Sequence, residues 1–193
     1  MPSETRTARI QQVAHRRTPH LALAAEHVHH RHNVSALLRT ADALGILHVW
    51  LVGELPFRPS RGAARGAHQW LELHHHTTVD AAVQDIHDHG YAIWAADLAD
   101  PPIAPEHVPV DTPVCVWLGS EVRGVGETVL AAADGVVTLP MFGMPQSLNV
   151  SVAGALILDR INQRIRAEYP NEGRLRPEEA EALARTWVQR DGT

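Results

Sequence analysis

Short apolar runs alternate with stretches of helical spacing along almost the whole chain, and this alternation constrains the fold more than any other feature. The runs "LALAAE" (21–26), "ILHVWLVG" (46–53), "YAIWAADL" (91–98), "PVCVWLGS" (113–120) and "GVVTLPM" (135–141) are short and apolar at successive positions. Strands buried on both faces have that pattern. Between them, residues 4–17, "HNVSALLRTADALG" (32–45), Val79 to about His89, and "VGETVLAAAD" (125–134) have helical spacing. A long helix follows from Ser147 to about Tyr169, and a last one lies in "RPEEAEALARTW" (176–187). Asn33 suits an N-cap, and Gly45 suits a C-terminal stop. The alternation predicts an α/β domain: a mostly parallel sheet with helices on both faces. Residues 54–68 are a proline-, glycine- and arginine-rich loop, too long for a simple connector.

At 193 residues the chain can bury one substantial core. No apolar run reaches the ~18 residues a membrane helix needs, and the N-terminus lacks an apolar segment followed by a cleavage site. A cytoplasmic protein is the expectation, with no membrane partner. The single cysteine, Cys115, lies in an apolar run and reads as a buried thiol. Net charge is −5, and all 17 basic residues are arginine, clustered at Arg6, Arg9, Arg16 and Arg17, at Arg58, Arg61 and Arg65, and at Arg160, Arg164 and Arg166. An acidic total argues against indiscriminate coating of nucleic acid, whereas local arginine clusters suit phosphate groups. Fourteen histidines include "HVHHRH" (27–32) and "HHH" (74–76), but adjacent histidines point in different directions and HExxH is absent, so no metal is expected.

Other chemistries fail on spacing. Gly124-x-Gly126 follows a strand, but the third glycine and the downstream acidic residue of a dinucleotide fingerprint are missing. There is no glycine–lysine phosphate loop and no G-x-S-x-G elbow. Three polar groups remain, each where a strand or loop meets a helix: Asn33 with Arg39, Gly119-Ser120-Glu121, and Ser147 with Asn149. Caps and turns account for Asn33 and Ser147 taken alone. Arg39 lies between Leu38 and Ala41 in an apolar helix, where burial of an unpaired charge would be costly.

In this order, "HNVSALLRTADALG", "VWLGSEVRGVGETVLAAAD" and "LPMFGMPQSLNVSVAGALIL" resemble the three signature motifs of the SpoU, or TrmH, branch of the SPOUT-class RNA ribose 2′-O-methyltransferases. Similarity extends through the arginine-bearing first helix, "GAHQW" and "RLRPEEAEALARTW". The compact length resembles the tRNA-modifying subgroup. The resemblance implies a SPOUT-type α/β fold with a C-terminal trefoil knot, and a homodimer. It divides the chain into an N-terminal basic helix (1–20), a methyltransferase domain (21–169) and a C-terminal helical extension (170–193).

The activity implied is S-adenosylmethionine-dependent 2′-O-methylation of tRNA at the D-loop guanosine. Methylation of a ribosomal RNA loop, or a non-catalytic RNA-binding relative, are the alternatives. Catalytic positions by resemblance are Arg39, Asn33, Ser147 and Asn149, with Arg39 acting at the ribose hydroxyl and Ser147 and Asn33 anchoring phosphate. The cofactor would lie against Ala96, Gly119, Ser120, Glu121, Leu139, Met141 and Leu148. Arg6, Arg9, Arg16 and Arg17 would hold RNA phosphates, and small residues at Ser151, Ala153, Gly154 and Ala155 would allow close approach of the second copy.

Overall fold

The computed structural model describes residues 2–28, 30–53, 66–120 and 123–191. Six strands, β1 (Leu21–Glu26), β2 (His48–Val52), β3 (Glu72–His76), β4 (Ala92–Ala96), β5 (Val114–Leu118) and β6 (Gly135–Val137), form one sheet in the order β3-β2-β1-β5-β4-β6. Every pairing between them is parallel. Central β1 is buried at all six positions, as a strand covered on both sides must be.

Side chains alternate across the sheet and sort into two cores. Leu21, Leu23, Val49 and Val116 face α2 (Arg31–Leu44) and α5 (Val150–Glu168). On the other face, Ala22 and Ala24 lie among Trp50, Trp117 and Ala95, under α3 (Val79–Asp88) and α4 (Glu127–Ala132). Ala24 is in register with Trp50 on one side and Trp117 on the other, so the small central residue makes room for two indoles. A third cluster joins α1 (Glu4–Ala14) to α6 (Pro177–Asp191) through Ile10, Ala14, Leu47, Ala184 and Trp187. Among the described residues, no helix is long and apolar enough to cross a membrane.

The structure departs from the sequence reading at several boundaries. Asn33 is not an N-cap: α2 begins at Arg31 with His30 as its cap residue, and Asn33 lies inside the first turn, 6% exposed. Likewise α5 begins at Val150 rather than Ser147, because the Asn149 carboxamide oxygen accepts from the Ser151 amide at 2.9 Å and so sets the helix start. Strand β3 covers the histidine run that gave no strand signal, since polar side chains on an edge strand carry little apolar alternation. Gly45 does end α2, in the left-handed conformation at φ 81°; a Cβ there would stand 2.8 Å from the Arg16 carbonyl oxygen.

Gly154 owes its size to packing inside the chain. A Cβ would fall 2.6 Å from Leu118 Cδ1 and 2.8 Å from Leu37 Cδ2, so this glycine serves the approach of α5 to its own sheet and α2. At the β2–β3 edge, burial first and then the neighbouring His74 and His89 push the His48 imidazole down to about 4.

Candidate active site

Open parallel sheets bind ligands beyond the carboxyl ends of their strands, and a large hollow lies there. A cleft of about 630 Å³ opens beyond β4, β5 and β6, bounded on one side by the starts of α2 and α5. Ala96, Leu118 and Val137 end the three strands at its floor, while Leu139, Met141, Leu148, Ala153 and Ile157 add apolar walls.

Asp97 holds the floor in shape. Its carboxylate accepts from the Leu98 amide at 2.7 Å and from the Val125 amide at 3.2 Å, and its carbonyl accepts the Thr138 hydroxyl at 2.6 Å. One residue therefore joins the segments that follow β4, β5 and β6. Ser120 and Gly124 exchange two backbone hydrogen bonds of 3.0 Å, and the Ser120 hydroxyl accepts from the Arg123 amide at 3.1 Å. Backbone passes so close at this turn that a Cβ on Gly119 would lie 2.0 Å from the Gly124 carbonyl oxygen. Only glycine fits there.

At the rim, the Asn149 carboxamide donates to Asn33 Oδ1 at 3.2 Å, across 116 positions of sequence. Asn149 Oδ1 also accepts from the Ser151 hydroxyl at 2.6 Å. One asparagine thus caps α5 and ties it to the first turn of α2.

Of the positions expected at the site, Ala96, Gly119, Ser120, Leu139, Met141 and Leu148 all line the cleft, together with Asn33, Ser147 and Asn149. Glu121 lies outside the described residues, as do Arg58, Arg61 and Arg65. Arg39 does not line the cleft of its own chain. It is exposed on α2, so the reasoning that a buried charge there demands a partner does not apply. The flanking Leu37, Leu38 and Ala41 turn inward and leave the guanidinium in water. Asp97 was missed by the sequence reading; its one signal was an acidic residue at the carboxyl end of a strand.

The family model for the SpoU rRNA Methylase family matches residues 20–159. The chain belongs to that family. A tRNA (guanosine(18)-2′-O)-methyltransferase of Thermus thermophilus is 38% identical over 193 residues, covering 97% of this chain and 98% of the relative. The enzyme of the same name from Escherichia coli is 41% identical over 155 residues, 80% of this chain and 68% of its own. Among solved structures, an Aquifex aeolicus TrmH/SpoU tRNA modifying enzyme superposes with a TM-score of 0.86 at 30% identity, covering 97% of both chains.

Outside the cleft, this SpoU methylase gathers several arginines around a second hollow. Arg6, Arg9 and Arg16, joined by Arg166, line a hollow of about 400 Å³ beside α1. Arg6 is held by Asp191 through two 3.0 Å bonds and lies 5.1 Å over the Trp70 ring. Arg17 lines the same hollow but is held differently. It is fully buried, donates to the Asp42 and Ile46 carbonyls at 3.1 Å, pairs with the Asp42 carboxylate and lies 5.0 Å over Trp187. Both terminal guanidinium nitrogens are thus bonded inside the fold, while Nε is buried without a hydrogen-bond partner.

Proposed function

We propose that the chain transfers a methyl group from S-adenosylmethionine to the ribose 2′-hydroxyl of a tRNA guanosine, position 18 of the D-loop, as a cytoplasmic homodimer. One observation carries this reading: residues from three separated motifs converge on one cleft, with Asn33 and Asn149 bonded across its rim. The relatives named above for that reaction match 97% and 80% of this chain, which favours tRNA over ribosomal RNA.

The cleft suits the cofactor. Its volume of about 630 Å³ lies in the ~300–1,000 Å³ range of small-molecule sites, and apolar walls meet backbone polar groups at strand ends. Ala96, Gly119, Ser120, Leu139, Met141 and Leu148 would hold it, and it supplies an electrophilic methyl on a sulfonium. Asp97 keeps the three floor segments at fixed spacing. The Ser147 hydroxyl and the Asn33 and Asn149 carboxamides offer neutral donors to an RNA phosphate at the rim.

No lysine or arginine is among the described residues that line the cleft, and in this reading Arg39 of a second copy provides the cation. Exposed Phe142, Met144, Val152 and Leu156, near the cleft on and before α5, give that copy an apolar surface to cover. A guanidinium stays protonated at pH 7, so Arg39 acts by stabilising the developing alkoxide rather than by accepting its proton. A trefoil knot formed by the 139–158 segment belongs to the same reading. Incubation with labelled S-adenosylmethionine and separate tRNA and ribosomal RNA transcripts tests it, with label expected at the D-loop guanosine. Label on ribosomal RNA alone would reassign the substrate, and label on neither would sink the enzymatic reading.

A further inference from the structure

The histidine run at 74–76 is divided by its strand. His74 and His76 share the sheet face with Trp50 and α3, and His75 takes the other. Helix α3 brings Asp85 to that face, and His89 follows at its end. One ring nitrogen of His74, one of His89 and a carboxylate oxygen of Asp85 lie within 4.8 Å of one another. Both carboxylate oxygens have an imidazole close by: His74 Nδ1 lies 3.6 Å from Asp85 Oδ2, and His89 Nδ1 lies 3.3 Å from Asp85 Oδ1. A tetrahedral ion with bonds of ~2.0–2.1 Å sets its ligand atoms about 3.3 Å apart.

The surrounding bonds are those that orient metal ligands. Asp85 Oδ2 accepts from Trp50 Nε1 at 2.7 Å and faces His76 Nε2 at 2.8 Å. His74 Nε2 lies 3.1 Å from His48 Nδ1, and His89 Nδ1 lies 2.7 Å from the Asp85 carbonyl oxygen, to which it donates, so Nε2 is the nitrogen that His89 offers a metal. With Oδ2 already served by two donors, His74 is best satisfied by donating through Nε2 to His48. Its Nδ1 lone pair then faces a carboxylate oxygen, acceptor against acceptor, and a cation between them turns that repulsion into attraction.

We propose that His74, Asp85 and His89 bind a divalent zinc-type ion, with water at the fourth position. Two imidazoles and one carboxylate favour zinc over calcium or magnesium, which take oxygen ligands. The three side chains are 21%, 27% and 36% exposed, open enough for an ion to enter and for water to complete its shell. None of them lines the cleft, so the ion would clamp edge strand β3 to α3 rather than take part in methyl transfer.

The test uses the full chain without an affinity tag, stripped of metal by a chelator. Zinc is titrated in competition with a chromophoric chelator, and the melting temperature is followed with and without zinc. One equivalent bound, with a zinc-dependent rise in melting temperature, is expected. His89→Gln, at the exposed end of α3, should weaken binding at least tenfold and remove the rise, and Asp85→Asn should do the same if it folds. His15→Ala and His107→Ala should leave both unchanged. Failure to bind one equivalent, or binding insensitive to His89→Gln, overturns the assignment.

Discussion

The cleft beyond β4, β5 and β6 and the histidine-rich edge at β2 and β3 use polar side chains in opposite ways. At the edge, His48, Trp50, His74, His76, Asp85 and His89 are bonded mostly to one another, and the group is closed within one chain. At the cleft Ser147 and Asn149 are exposed, and bulky apolar residues beside them, Phe142 at 98% and Met144 at 97%, stand in water. A cluster bonded within one chain supports the fold. An unfinished one is what a catalytic rim awaiting RNA and a second subunit should look like.

The largest expected effect tests whether the cleft is unfinished. Arg39→Ala should lower kcat/KM by at least about 10²-fold, the scale of losing one donor to a developing oxyanion, while S-adenosylmethionine affinity by titration calorimetry stays within about twofold. Mixing that variant with the equally inactive Ser147→Ala should restore part of the activity if Arg39 serves the partner's cleft. If the mixed sample stays dead, Arg39 works in its own chain and the contrast with the edge is wrong.

Next in size is the acid response of the edge, measured with chelator present. His48 faces His74 from β3 and both Asp85 and His89 from α3, and its folded value lies near 4 against an ordinary 6.5. The unfolded chain therefore binds more protons below neutrality, so this contribution is complete above about pH 7 and falls on acidification toward pH 4. Denaturation at pH 7 and pH 5 should differ by about 1–2 kcal/mol from this residue, at ~1.4 kcal/mol for each tenfold change in proton affinity. His48→Gln should flatten the profile, and an unchanged slope would remove the residue from the closed network.

The smallest effect separates shape from chemistry at the rim. Asn149→Ala should cost about 1 kcal/mol by loss of the α5 cap, read by urea denaturation. Asn149→Asp keeps the cap but cannot donate to Asn33, so it should retain stability and lose turnover. Turnover equal to wild type in the aspartate variant would reduce Asn149 to a cap.

Much of the fold was legible because both-face burial writes itself into sequence as short apolar runs, and five of the six strands were visible that way. β3 was not, since an edge strand of Glu72, Leu73 and three histidines carries almost no apolar signal. The cleft was legible through motifs, as six of its expected cofactor positions line it. Arg17 and Arg39 were misjudged in opposite senses: the arginine that looked free for phosphate is buried, and the one that looked buried is exposed. Which way a side chain faces depends on what packs beside it: Arg17 lies past the end of α1, and α6, which covers it with Trp187, lies far along the chain. The histidine run misled for a related reason. Adjacent residues on a strand diverge, and the residues that do meet, 74, 85 and 89, come from a strand and the helix after it.

The central pairing has a consequence in time. β1 and β5 are joined at Leu21 and Val114, 114 − 21 = 93 positions apart. At a synthesis rate of ~5–20 residues per second, the middle strand of the sheet waits about 5–20 s with one edge unpaired before its second neighbour leaves the ribosome. During that interval β1 exposes a row of amides and carbonyls beside the alanines that later admit two tryptophans. Short side chains make it a weak nucleus for wrong contacts while the rest of the sheet is still being made.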